Sequence, residues 1–274
     1  MNKTGKSYIE LLSKIMHEGC QISPRGFEIL EISDFPQVVN PLSPFLSFDD
    51  RHYPIEYFKK EMRWKLGANR YDNSIEEHAK MWTTVKNPDG TFNSNYGQYW
   101  FGEQMGIWSV ITELTRDIDS RRAVIPMMNA SHFAPHVKDT VCTESVGFRV
   151  RPGIRPSELH LHMSVHMRSS DVVFGLGTDV PTFAFLYRLV KAFVMSITPK
   201  EVLDGAITIT SMSSHVYARH YEMVGKIIKR GIAGYIPIVM PQCGYKEALK
   251  IISSRGYPEI LHDAGELGRW LCDD

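Results

Sequence analysis

With 274 residues, 31 Lys and Arg against 31 Asp and Glu, and 43% hydrophobic residues, the chain has an ordinary globular composition and enough apolar side chains for a sizeable core. Zero formal charge at pH 7 removes the simplest argument for nonspecific nucleic-acid binding, which needs basic surface to neutralise phosphates. No long apolar run reads as a bilayer span, and M-N-K-T-G-K-S-Y has no signal-peptide core; Cys20, Cys142, Cys243 and Cys272 form no C-x-x-C pair, so reduced thiols in a cytoplasmic protein are expected.

Helical spacing of Ile9, Leu12, Ile15 and Met16 predicts a helix over 7–17, closed by Gly19. I-S-P-R-G-F-E-I-L-E-I then reads as a turn into a strand, with Arg25 beside Gly26. Ile55, Phe58, Met62 and Leu66 form the apolar stripe of a helix over 54–66. On its wheel Glu61 falls at the edge of that stripe, where partial desolvation would raise a carboxylate pKa; a boundary glutamate reaching solvent is the plainer alternative. Another helix is expected over 74–85, carrying Trp82, followed by an N-P-D-G turn and an N-S-N-Y-G loop. A helix over 103–116 precedes D-I-D-S-R-R, where Arg121 and Arg122 form either a solvated turn or an anion clamp.

Cys142 sits in a stretch with the β-branched content of a strand, where a lone cysteine is more often inert than nucleophilic. Residues 159–167 alternate strictly and put His160, His162 and His166 on one face. No nearby carboxylate or cysteine completes a zinc set, so no metal is expected. The next stretch, H-M-R-S-S-D-V-V-F-G-L-G-T-D-V-P, delivers Arg168, Ser169 and Asp171 to a strand end. A glycine loop (Gly175, Gly177) follows, with Asp179 at the mouth of a helix expected from Pro181 to Met195. A strand (A-I-T-I-T-S-M) comes next, then a helix opened by S-H-V-Y-A-R-H-Y with His215 and Tyr217 near its start. A further helix, a short strand over 235–240 and a final helix from Tyr245 complete the chain.

Taken together, E-M-R-W (from Glu61), Trp82 ahead of N-S-N-Y-G, D-S-R-R, Cys142, R-S-S-D-V-V-F-G (from Arg168), Asp179 and H-V-Y-A-R-H (from His215) occur in the order of the thymidylate synthase superfamily. Within it the chain resembles the pyrimidine-nucleotide hydroxymethylases, over roughly residues 20–221; the segment beyond matches no family feature. The resemblance implies one α/β (α+β) domain over residues 1–274, with a large twisted mixed sheet flanked by helices and a homodimer formed through the sheet face. It makes Cys142 the nucleophile that adds, as thiolate, to C6 of a pyrimidine. Arg168 and Ser169 would hold the nucleotide phosphate, with Arg121 and Arg122 reaching in from a partner subunit. Arg25 would join them, although the family's arginine stands one position earlier, where this chain has Pro24. His215 and Tyr217 would bind the sugar and Glu61 would move protons through water. Trp82 and Asp171 would face 5,10-methylenetetrahydrofolate, Asp171 also lying on the nucleotide side.

Departures from the synthase pattern point to the substrate. Thr143 stands where the synthases carry histidine after the nucleophile, and Val85 where they carry a second tryptophan. Asp179 replaces the asparagine that reads uracil. Cytosine presents an amino donor at C4 and an acceptor at N3, which a carboxylate sharing a proton can satisfy. Aspartate ahead of a helix is also a favoured N-cap, and the two roles are compatible. The expected reaction is hydroxymethylation of a cytidine monophosphate, dCMP before CMP, at C5, with water added where a synthase would deliver hydride. The alternatives are a dCMP methylase, a dUMP hydroxymethylase, and a silent relative that binds nucleotide or RNA.

Overall fold

The computed structural model describes residues 3–103 and 105–273. The chain forms two compact units. The first takes the residues up to Tyr53, Met163–Tyr187 and Asp204–Met240; the second takes Pro54–His162, Arg188–Leu203 and the residues from Pro241 on. The helices are α1 (Lys3–Glu18), α2 (Ile55–Gly67), α3 (Met81–Val85), α4 (Gly97–Trp100), α5 (Gly106–Arg116), α6 (Gly175–Ile197), α7 (Tyr221–Arg230), α8 (Tyr245–Ser253), α9 (Pro258–His262) and α10 (Glu266–Cys272). The strands are β1 (Cys20–Ile22), β2 (Ile29–Ile32), β3 (Gln37–Val39), β4 (Val124–Pro126), β5 (Thr143–Pro152), β6 (Glu158–Met167), β7 (Ser170–Asp171), β8 (Glu201–Ser211) and β9 (Ser214–Tyr217). Mixed sheets flanked by helices are the α/β character that the sequence implies.

In the first unit, Tyr8, Leu11, Leu12 and Ile15 bury one face of α1, as the 3.6-residue period requires. The Gly19 N–H closes the helix on the Ile15 carbonyl at 2.9 Å. A short turn at Pro24–Gly26 folds β1 back on β2, with Cys20 opposite Glu31. β2 pairs antiparallel with β9 and β7 runs parallel to β9, giving the order β1-β2-β9-β7. β3 pairs antiparallel with β8, Gln37 opposite Ile209.

In the second unit, α2 buries Phe58, Met62 and Leu66 together with Glu61 and Lys65. Trp64, Ile75, Trp82 and Phe92 pack into an apolar cluster, the Trp64 and Trp82 rings 5.0 Å apart. β4 pairs antiparallel with β5, Val124 opposite Gly147. α10 returns to α2, where the Trp270 and Phe58 rings meet at 6.0 Å.

Several local expectations are corrected. The 74–85 stretch is a short 3-10 turn (Ser74–Glu77) and then α3, because the Trp82 N–H bonds the Ala79 carbonyl three residues back and breaks the α-helical ladder. α5 begins at Gly106, after Met105 in the left-handed region (φ 47°), not at residue 103. α6 begins at Gly175, so Pro181 lies inside it and Asp179 is not its N-cap. The turn ahead of α6 is set instead by the Asp171 carboxylate, whose Oδ1 accepts the Val173 N–H at 2.9 Å and the Phe174 N–H at 3.4 Å. His215 and Tyr217 lie on strand β9, since pairing with β2 and β7 outweighs local helical preference. The 235–240 stretch is not a strand, Pro237 and Pro241 denying it ladder donors. Among the described residues α6 alone is long and apolar enough to cross a bilayer; 83% of its apolar window is buried inside the protein, which makes it a core helix.

Candidate active site

The first unit assembles its candidate residues by strand register. Asp171 on β7 stands opposite His215 on β9, and His215 in turn stands opposite Glu31 on β2. Paired residues on neighbouring strands face the same side. A row Glu31–His215–Asp171 therefore crosses three strands, with Tyr217 two residues further along the same face of β9. The Ser213 hydroxyl donates to Glu31 Oε2 at 2.5 Å and lies 3.3 Å from His215 Nδ1. The His215 and Tyr217 rings meet edge to face at 5.2 Å, and the Arg219 guanidinium caps the Tyr217 ring at 4.1 Å. Burial pushes the His215 imidazole below its usual range, with the Asp171 carboxylate pulling the other way. The lowering favours the neutral ring, which donates from one nitrogen and accepts at the other.

Arg168 and Ser169 directly precede β7 and are half-buried. Arg25 is exposed, in the left-handed region (φ 55°), on the turn joining β1 to β2, and its charge reaches His215. Asp179 is half-buried in the opening turns of α6. Asp171 spends Oδ1 on the backbone ahead of α6, leaving Oδ2 for N–H donors.

One residue that the sequence reading passed over belongs here. Arg51 is buried, donates from Nη1 to the Leu46 carbonyl at 2.8 Å and lies over the Phe174 ring. A Cβ at position 177 would come within 2.5 Å of its Nη2, so Gly177 makes room for this guanidinium rather than for a flexible loop. The arginine also faces His220, whose pKa is lowered first by burial.

In the second unit Glu61 is buried (4% exposed), not at the solvent edge. Its Oε1 accepts from Lys65 Nζ at 2.7 Å, while Oε2 is buried and has no hydrogen-bond partner among the described residues. Lys65 is the i+4 neighbour of Glu61, a spacing legible on the helical wheel. Its ammonium lies 5.1 Å from the centroid of the Tyr96 ring. The Thr143 hydroxyl donates to the Tyr96 hydroxyl at 3.0 Å. Cys142, half-buried, immediately precedes Thr143 at the mouth of β5 and is not inside a strand as expected. Gly97 is what allows the loop to approach α2: a Cβ there would stand 1.5 Å from the Lys65 carbonyl oxygen.

The segment leading to Cys142 is braced to the N-S-N-Y-G loop. Asp139 Oδ2 accepts the Ser94 N–H at 2.7 Å, and Asn93 Nδ2 donates to the Asp139 carbonyl at 2.9 Å. Asn87 Oδ1 accepts the Lys138 and Asp139 N–H groups. Trp82 is 4% exposed, its Nε1 donating to the Tyr57 hydroxyl at 2.8 Å. Arg121 and Arg122 are both exposed; Arg122 Nε lies 4.0 Å from Glu113. Among the described residues no group of three or more His, Cys, Asp or Glu side chains could hold a metal ion.

Comparison with known proteins places these two sets of residues in a family context. The family model described as thymidylate synthase matches residues 6–247. The chain is 29% identical to deoxycytidylate 5-hydroxymethyltransferase of Enterobacteria phage T4 over 184 residues, 64% of this chain and 72% of that protein. It is 29% identical to a thymidylate synthase of Fusobacterium nucleatum over 171 residues (61% and 58%), and 23% identical to that of Pseudomonas fluorescens over 239 residues (80% and 82%).

Proposed function

Because the chain belongs to the thymidylate synthase family, we propose that it transfers a one-carbon unit from 5,10-methylenetetrahydrofolate to C5 of a cytidine monophosphate, dCMP before CMP. Water completes the transfer, and the products are 5-hydroxymethyl-(d)CMP and tetrahydrofolate. The observation that carries the choice of base is Asp179, a carboxylate in the opening turns of α6 at the position where the synthases resembled have asparagine. The likeness to the phage deoxycytidylate enzyme supports the same choice.

In this reading the Cys142 thiolate adds to C6 and makes C5 nucleophilic. Asp179 accepts from the cytosine amino group and, through a shared proton, satisfies N3. Arg168 and Ser169, with Arg25, take the phosphate; His215 and Tyr217 take the sugar. Asp171 stands beside His215 and offers Oδ2 to the N–H donors of the pterin, while Trp82 gives its ring an aromatic wall. The folate supplies the methylene carbon and departs as tetrahydrofolate. Glu61 moves the C5 proton through water and aligns the water that adds to the exocyclic methylene on C5. Loss of Cys142 from C6 restores the aromatic ring. Arg121 and Arg122, both exposed, serve the phosphate in a partner protomer of a homodimer. The setting is cytoplasmic.

The test is release of tritium from C5-labelled dCMP, CMP and dUMP in the presence of methylenetetrahydrofolate. Fastest release from dCMP, without dihydrofolate absorbance, is expected. Dihydrofolate formation would identify a methylase instead, and no release from any pyrimidine nucleotide would overturn the enzymatic reading.

A further inference from the structure

We infer that Lys65 is a positioning residue for the proton-transfer step, acting through Glu61; this rests on the function proposed above. Glu61 and Lys65 are both buried on α2, and the ammonium holds Oε1 at 2.7 Å. One carboxylate oxygen is thereby committed. The other, Oε2, is buried and has no hydrogen-bond partner among the described residues, a state that is costly unless a ligand or water completes it. Lys65 therefore fixes both the rotamer of Glu61 and which oxygen meets the reacting water.

The lysine is itself held on two sides. Its ammonium lies 5.1 Å from the centroid of Tyr96, whose hydroxyl accepts from Thr143, the residue after Cys142. Its backbone carbonyl abuts Gly97, where no Cβ fits. A buried, oriented cation against the one carboxylate assigned to proton transfer is more than a core filler. Apolar side chains of similar volume fill cores at lower desolvation cost than an ion pair. The proton route is unchanged by this assignment: the C5 proton passes to water and to Glu61 Oε2, and Lys65 takes no part in the transfer.

The experiment measures C5 tritium release and nucleotide KM for the wild type, Lys65→Met, Glu61→Gln and the double variant. Lys65→Met is expected to lower kcat by about 10- to 100-fold, part of the 10²–10⁴ that a general acid–base group contributes. The KM for dCMP should stay within about threefold, because Lys65 touches no part of the nucleotide in this assignment. In the Glu61→Gln background the same change should cost no further activity, since its whole effect runs through the carboxylate. If Lys65→Met does not fold, Lys65→Gln, whose amide can still donate to Oε1, is measured instead: a partial loss of kcat that disappears in the Glu61→Gln background is expected, and an equal loss in both backgrounds overturns the assignment. A kcat within about twofold of wild type, or an equal loss in both backgrounds, overturns the assignment while leaving the enzyme's function intact. A wild type that releases no tritium from any nucleotide brings down the functional reading, and the role of Lys65 with it.

Discussion

The buried pair on α2 also makes a stability prediction that needs no substrate. Lys65 Nζ and Glu61 Oε1 are 2.7 Å apart, with side chains only 2% and 5% accessible. At an effective dielectric of about 20 their gross attraction is about 6 kcal/mol, against which the desolvation of both ions must be set. Lys65→Met removes the cation hydrogen-bonded to Glu61 and should cost about 3–5 kcal/mol, the range for breaking a buried pair from one side. For a chain of this size that lowers Tm by roughly 6–20 °C. The double variant Glu61→Leu/Lys65→Met removes both charges and should recover most of the loss, because replacing a whole buried pair by apolar groups is often neutral. Thermal and urea melts of the four proteins give the coupling directly. If the two single losses simply add in the double variant, the charges are solvated separately, and the geometric argument for the pair is wrong.

Four further outcomes follow from the same geometry. Asp179→Asn should move preference from dCMP toward dUMP by about 5- to 150-fold in relative kcat/KM, the equivalent of one unpaired polar group at about 1–3 kcal/mol, and an unchanged ratio would remove Asp179 from base reading. Cys142→Ser should abolish tritium release while dCMP binding, followed by calorimetry, persists; retained turnover would exclude Cys142 as nucleophile. Gly97→Ala should destabilise the fold by at least about 1–3 kcal/mol in a melt, because its Cβ would stand 1.5 Å from a backbone oxygen that cannot swing away. Burial lowers the pKa values of His132, His162, His215 and His220. The unfolded chain then binds more protons below the ordinary imidazole pKa of about 6.5, so stability is fully present above that pH and falls on acidification. His215→Asn should flatten that fall, measured as Tm between pH 5 and 7.5.

Much of this was legible in the sequence, and the reasons for the failures are physical. Periodicity located α1 and α2 within a few residues, and strict alternation marked β6, because both depend on one face being buried. The start of α6 is not legible, since G-L-G-T-D-V-P carries glycine and proline signals that ordinarily end helices. Here Gly177 leaves room for the guanidinium of Arg51, a residue more than a hundred positions away, and no local rule announces that. Local sequence favours a helix at His215 and Tyr217, because their strand character comes from pairing with β2 and β7, again non-local. Lys65, by contrast, could have been found: an i+4 lysine beside a glutamate at the edge of an apolar stripe is a local pattern, overlooked because such pairs are usually solvent-exposed.

That distinction bears on how the candidate residues should be weighed. Cys142, Trp82 and the arginines drew attention through family order, which says nothing of what holds them in place. What the fold adds is support. Asp139 and Asn87 brace the segment before Cys142, and the β7–β9 register sets Asp171 against His215. Asp171 illustrates the consequence. Its Oδ1 fixes the turn ahead of α6, so Asp171→Ala removes a pterin partner and also loosens the turn that presents Asp179. Asp171→Asn keeps an oxygen that can accept the Val173 N–H but replaces the other acceptor with a donor. The two variants should therefore separate: Asn should raise the folate KM with base preference intact, whereas Ala should disturb both. Base preference left intact by both variants would mean that the turn does not depend on this side chain, and that Asp179 is presented by α6 alone.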